Sequence, residues 1–163
     1  EAGPDGKVYF AAAAETSVKN GLEGALRTEL LAHTGTGWVY VYDPADRSVQ
    51  RVLGGIAGAS GLALSEDGRT LYVSDLGSRC VWAVDADARE LTAGGKNCKS
   101  FLSGLPGYPG ALALDEDGIL YVSGSWERTF TGREMDGCTA VCPAGSKVYF
   151  GAAGSASLLS ARV

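Results

Sequence analysis

Residues 61–74 read GLALSEDGRTLYVS, and residues 111–123 read ALALDEDGILYVS. Leu62 and Leu112 stand fifty positions apart, as do Gly68 and Gly118. Each copy opens on alternating apolar and small residues, the period-2 pattern of a half-buried strand. A turn follows, Glu66-Asp67-Gly68 or Glu116-Asp117-Gly118, in which glycine supplies the positive φ of a tight hairpin. The second strand is aromatic and β-branched: Leu71-Tyr72-Val73, then Leu120-Tyr121-Val122. A strand-built repeat of about 40 to 50 residues is the signature of a β-propeller blade.

Outward from the first copy, Cys80 to Asp85 reads as a third strand and Ser100-Phe101-Leu102 as a fourth. A loop, Gly104-Leu105-Pro106-Gly107-Tyr108-Pro109-Gly110, precedes the next copy. One complete blade therefore runs from about 59 to 108. Before it, about 5–56 fits the same template without an opening strand: Asp5-Gly6 is the turn, Lys7-Val8-Tyr9-Phe10 the second strand, Trp38 to Asp43 the third and Val49 to Leu53 the fourth. Between the second and third, Leu22, Leu26, Leu30 and Leu31 recur at helical spacing and predict one inserted helix near 20–33. After the second copy, about 109–163 reads as a third blade interrupted by a polar loop over 125–145. Ser146 to Phe150 reads as its third strand and Ser157 to Leu159 as its fourth. The fold class expected is all-β: one partial propeller domain over 1–163, of four-stranded antiparallel blades, about three in number.

The 163 residues are 45% hydrophobic and 20% charged, within the globular range, and 24 are glycine. A net charge of −5 repels polyanions, so nucleic acid is not an expected partner. No apolar run approaches the roughly 20 residues of a membrane span. The four cysteines, Cys80, Cys98, Cys138 and Cys142, fit one or two disulfides and a secretory, vacuolar or extracellular setting, with free buried thiols as the alternative. Zinc is disfavoured, because the closest cysteine pair has the spacing Cys-x-x-x-Cys and the lone histidine, His33, is remote.

Lys7 to Phe10, the leucine-rich helix, Gly35-Thr36-Gly37-Trp38-Val39-Tyr40-Val41-Tyr42-Asp43-Pro44 and the hairpin at Gly61 resemble the central region of strictosidine-synthase-like proteins. So do Tyr72-Val73-Ser74-Asp75 with Arg79, and the Leu105-Pro106-Gly107-Tyr108-Pro109 loop. The resemblance covers about residues 5 to 124. It implies half of a six-bladed ring, of the fold shared with gluconolactonases and paraoxonase-type calcium lactonases, with the active site at one mouth of the channel. Calcium-binding relatives carry ligands at the starts of inner strands, where this chain has Ser60, Gly110 and Ala111. A hard cation with six or more oxygen ligands is not served by that set, so no cofactor is expected. The acid/base glutamate of the synthases belongs to a later blade than any in this chain.

Asp75 follows the second strand where relatives carry an acid, and burial could raise its pKa for acid/base work; the simpler reading is a turn aspartate bonding backbone amides. Ser60, Tyr108 and Trp126 are the candidate ligand contacts for a small molecule. Three blades leave apolar faces and strand edges open. A second copy or a second polypeptide is therefore expected to complete the propeller, and the Glu1 start accords with a fragment or processed product. Two functions follow: a divergent, non-catalytic binding or structural module, or part of a lyase or hydrolase whose key acid lies on absent blades.

Overall fold

A computed structural model of the chain describes residues 1–15, 21–105, 107–125, 138–144, 147–152 and 158–162, with side chains to residue 124 except that of Leu22. Thirteen strands and one helix are assigned among these residues. The first sheet has the order β1 (Val8–Ala12), β2 (Gly37–Asp43), β3 (Ser48–Ile56), β7 (Leu91–Thr92). β1 is an edge strand, and among the described residues its free side is met by a bridge from Ala2 to Val8. Between β1 and β2 lies the helix α1 (Gly21–Ala32).

The second sheet is a complete antiparallel blade: β4 (Ala59–Leu64), β5 (Thr70–Asp75), β6 (Cys80–Asp85), β8 (Ser100–Leu102). Its turn glycine, Gly68, has φ 72°, the left-handed region that a side chain resists. The excursion between β6 and β8 contains β7, which pairs in parallel with the outer strand of the first blade. Glu90 N–H donates to the Arg51 carbonyl and Ala93 N–H to that of Gly54, so the second blade overlaps the first at its rim.

The third blade differs from the expectation. β9 (Tyr108–Leu114) and β10 (Leu120–Ser125) form a two-stranded sheet of their own. The loop expected over 125–145 holds a strand, β11 (Cys138–Ala144). β12 (Lys147–Ala152) pairs with β11 and with β13 (Leu158–Arg162), not with β10, so 146–150 is not the third strand of that blade. The physical reason lies in local pairing: β11 and β12 are consecutive in the chain and pair antiparallel, and neighbours in sequence cost the least entropy to bring together. β11 runs alongside β9 and β10, much as β9 runs alongside β4 and β5.

Two cores follow from this layering. The larger fills the space between the first and second blades with Tyr9, Val39, Val41, Val52, Leu53, Ile56, Leu71, Val73, Trp82 and Val84. The smaller joins the second blade to the third through Ala63, Val81 and Leu112, with Tyr72, Leu114, Leu120 and Val122 against them. Between these two blades the inner strands touch backbone to backbone at Gly61. A Cβ there would stand 2.6 Å from the Leu112 nitrogen and would run into the Gly110 carbonyl. Gly61→Ala must push β4 and β9 apart, and it is expected to destabilise the chain by about 1–3 kcal/mol. Urea unfolding checks this: a lower midpoint at unchanged slope is expected, and an unchanged midpoint would show that the two strands part freely.

Candidate functional site at the mouth of the channel

Inner strands β4 and β9 begin at the end of the blades where β1 and β5 finish, since neighbouring strands are antiparallel. α1, inserted directly after β1, lies over this same end. Leu26 and Leu76 both flank Gly58, and the His33 ring approaches Gly77. His33 has φ 48° and closes the helix, its N–H bonded to the Glu29 carbonyl at 2.8 Å.

Glu29, only 2% exposed, holds that closure in place. Its carboxylate accepts from Thr34 Oγ1 at 2.7 Å, Gly35 N–H at 2.8 Å, Thr36 N–H at 3.0 Å and Thr36 Oγ1. Sequence reading passed over Glu29. The available signal was an acid on the leucine stripe of the helix followed by Thr34-Gly35-Thr36, a run of donors. Burial pushes its pKa up, but the hydrogen bonds from Thr36, Thr34 and Gly35 outweigh burial and hold it below its ordinary value.

Ser60 is exposed at the start of β4. Ala59 pairs with Asp75 and Leu62 with Val73, so Ser60 and Gly61 together face Ser74, a β-bulge. Bulges of this kind re-aim a side chain at a strand start. Tyr108 is half-buried at the start of β9, with the Arg79 guanidinium 4.9 Å from its ring centre. Arg79 has φ 50°, and its carbonyl accepts from Leu105 N–H at 3.1 Å. The structure thus brings Ser60, Arg79 and Tyr108 to one end of adjoining strands. Trp126, Cys138 and Cys142 fall where side chains are not described.

Asp75 is fully buried at the end of β5. One oxygen accepts from Ser78 N–H at 3.0 Å, the other from the Trp82 indole at 3.1 Å. Cys80 and Cys98 are free thiols, both buried. Burial, with the Asp75 carboxylate beside it, pushes the Cys80 thiol up to about 12.

Of the inner-strand positions Ser60, Gly110 and Ala111, only Ser60 has a side-chain oxygen, and the buried carboxylate of Asp75 is engaged with an amide and an indole. Among the described residues no cluster of His, Cys, Asp and Glu could hold a metal ion.

Four-stranded blades laid side by side, with inner strands converging on one mouth, define a partial β-propeller. The sequence profile of the SMP-30/Gluconolactonase/LRE-like region matches residues 1–156, and the chain belongs to that family. Among solved structures it is similar to a luciferin-regenerating enzyme, at 26% identity and TM-score 0.64 over 94% of this chain and 52% of that one. It also has the fold of regucalcin from Agrobacterium tumefaciens, described as a calcium-binding protein, at 19% identity and TM-score 0.58 over 91% of this chain and 50% of that one. The chain therefore spans about half the length of these structures. No curated protein matches it.

Because the folded pKa of Glu29 lies below its unfolded value, its contribution is complete above the ordinary carboxylate range. That contribution is lost as pH falls through the lowered folded value. Glu29→Gln is expected to cost about 1.5–3 kcal/mol near neutral pH and to cost progressively less in acid. Unfolding curves of both proteins from pH 7 to pH 3 check this; a pH-independent difference would show that the charge contributes nothing.

Buried, protonated thiols react slowly. Iodoacetamide at pH 8 should leave Cys80 and Cys98 unlabelled in the native protein and label both after denaturation, read by peptide mass mapping. Rapid native labelling would contradict the burial described.

Proposed function

We propose that this chain is part of a divergent, strictosidine-synthase-like member of its family. In this reading it acts as a binding module: further blades complete the ring, and the channel mouth takes a small organic molecule. The observation that carries it is the mouth itself. Positions that hold cation ligands in calcium-binding relatives here present a hydroxyl at Ser60 and no side-chain oxygen at Gly110 or Ala111, beside an aromatic–guanidinium pair, Tyr108 and Arg79. Such a surface offers stacking and hydrogen bonding rather than Lewis-acid chemistry. Trp126 is carried in this proposal as a further candidate aromatic for the ligand, from its residue type alone.

A second reading is favoured by family membership, since the family description includes gluconolactonase. In that reading the chain is part of a lyase or hydrolase whose key acid sits on further blades, with Asp75 the weak local candidate.

Calorimetric titration with calcium and a lactone hydrolysis assay, both run on the chain together with the blades that complete its ring, separate the two. The proposal expects no saturable heat and no hydrolysis above background. Stoichiometric calcium binding, or hydrolysis lost in Asp75→Asn, would overturn it.

A further inference from the structure

The first and second blades share one register. Tyr9 faces Val41 across β1 and β2, as Tyr72 faces Ala83 across β5 and β6. The flanking pairs correspond as well: Val8 and Tyr42 with Leu71 and Val84, Phe10 and Tyr40 with Val73 and Trp82. In the second blade these positions are closed, Leu71 and Val73 being 0% exposed, because the first blade lies on them. In the first blade they are open. Val8 is 40% and Phe10 41% exposed, and Phe10 stacks on Tyr40 at 5.4 Å between ring centres. Val49, 56% exposed, and Trp38, under the Arg51 guanidinium, belong to the same sheet.

The contact between the first two blades shows what such a face receives. It receives the opposite side of a sheet whose second strand carries a tyrosine. Tyr9 crosses the boundary, its hydroxyl donating to the Ala86 carbonyl at 3.3 Å. Ala86 follows Asp85 as Pro44 follows Asp43, so the matching acceptor on the open face is the Pro44 carbonyl.

This chain carries another sheet of that kind. β12 opens on the tetrapeptide that leads into β1, Lys147-Val148-Tyr149-Phe150 for Lys7-Val8-Tyr9-Phe10, and Tyr149 holds the place of Tyr9 within it. Two copies also carry about as much chain as one of the matched structures, which are covered to 52% and 50%. We infer that a second copy of this chain docks its C-terminal sheet on the face formed by Val8, Phe10, Tyr40 and Tyr42, repeating in trans the contact between the first two blades. The inference rests on the reading that further blades complete the propeller. The contact is head-to-tail, so each copy offers one face of each kind.

Light scattering across a concentration series tests it with three proteins: wild type, Phe10→Glu and Tyr149→Glu. The wild-type mass should rise from 16.8 kDa to that of two copies and stop there. Each variant alone should stay monomeric, and an equimolar mixture should form pairs and nothing larger, since one intact face of each kind remains. A monomeric wild type, or either variant still associating alone, overturns the inference. Phe10 is exposed enough for its variant to keep the fold, as circular dichroism will show. Should Tyr149→Glu unfold, amine cross-linking of isotopically mixed wild-type copies replaces it. Links between Lys7 of one copy and Lys147 of another are expected, and their absence counts against the contact. An apolar dye separates this failure from failure of the wider reading. A monomer that binds dye at wild type and not in Phe10→Glu has an open face awaiting other blades, which excludes only the second copy; a monomer that binds none sinks both.

Discussion

One buried hydroxyl holds the inner strands in register. Ser74 Oγ accepts from the Gly61 N–H at 2.6 Å and donates to the Gly110 carbonyl at 2.6 Å, joining β4, β5 and β9 at the channel end. A buried hydroxyl without such partners would cost free energy, so satisfying both roles fixes where the second and third blades meet. The placements of Ser60 and Tyr108 depend on that junction, one residue before Gly61 and two before Gly110. Ser123 is the counterpart of Ser74 in the repeat. It is equally buried, and among the described residues its hydroxyl has no hydrogen-bond partner.

The two buried carboxylates among the described residues serve the frame. Asp75 fixes the turn into β6 and orients the Trp82 ring in the larger core; Glu29 fixes the turn from α1 into β2. Each is buried, and each is engaged by N–H or O–H donors rather than by a cation. At the same end of the strands stand Arg79, Tyr108 and Ser60, the groups that the proposed binding role draws on. Geometry at the two ends differs in the same spirit: one blade face is sealed by its neighbour, while the equivalent face of the first blade presents Phe10 and Tyr40 to solvent.

The second blade was legible because every local signal agreed: alternation in β4, the Asp67-Gly68 turn, and the aromatic and β-branched run of β5. α1 was legible from its leucine spacing. β7 was not, since two residues carry no periodicity and its partner strand is some forty positions away. β11 was hidden by composition. Cys138-Thr139-Ala140-Val141-Cys142 has few large apolar residues, and the sequence after it lacks the Asp-Gly signal that marks the β4–β5 and β9–β10 hairpins. The tetrapeptide shared by β1 and β12 was in plain view, yet its position in the chain favoured reading it as a third strand. At the site, the turn role of Asp75 could be read from residue type, but its bond to the Trp82 indole depends on cross-strand pairing that only the fold supplies. Glu29 escaped notice because a helix glutamate is ordinarily solvated.

β7 also bears on how the molecule comes apart. In an ordinary propeller each blade's hydrogen bonds are its own, and neighbours meet only through side chains. Here four consecutive residues of the second blade's excursion, Glu90 to Ala93, are pinned to the outer strand of the first by main-chain bonds. Opening either blade therefore breaks bonds counted in the other, so the pair forms one cooperative unit in native-state hydrogen exchange. The third sheet, joined to the second mainly through its inner strands, has no such link among the described residues and can exchange on its own timescale.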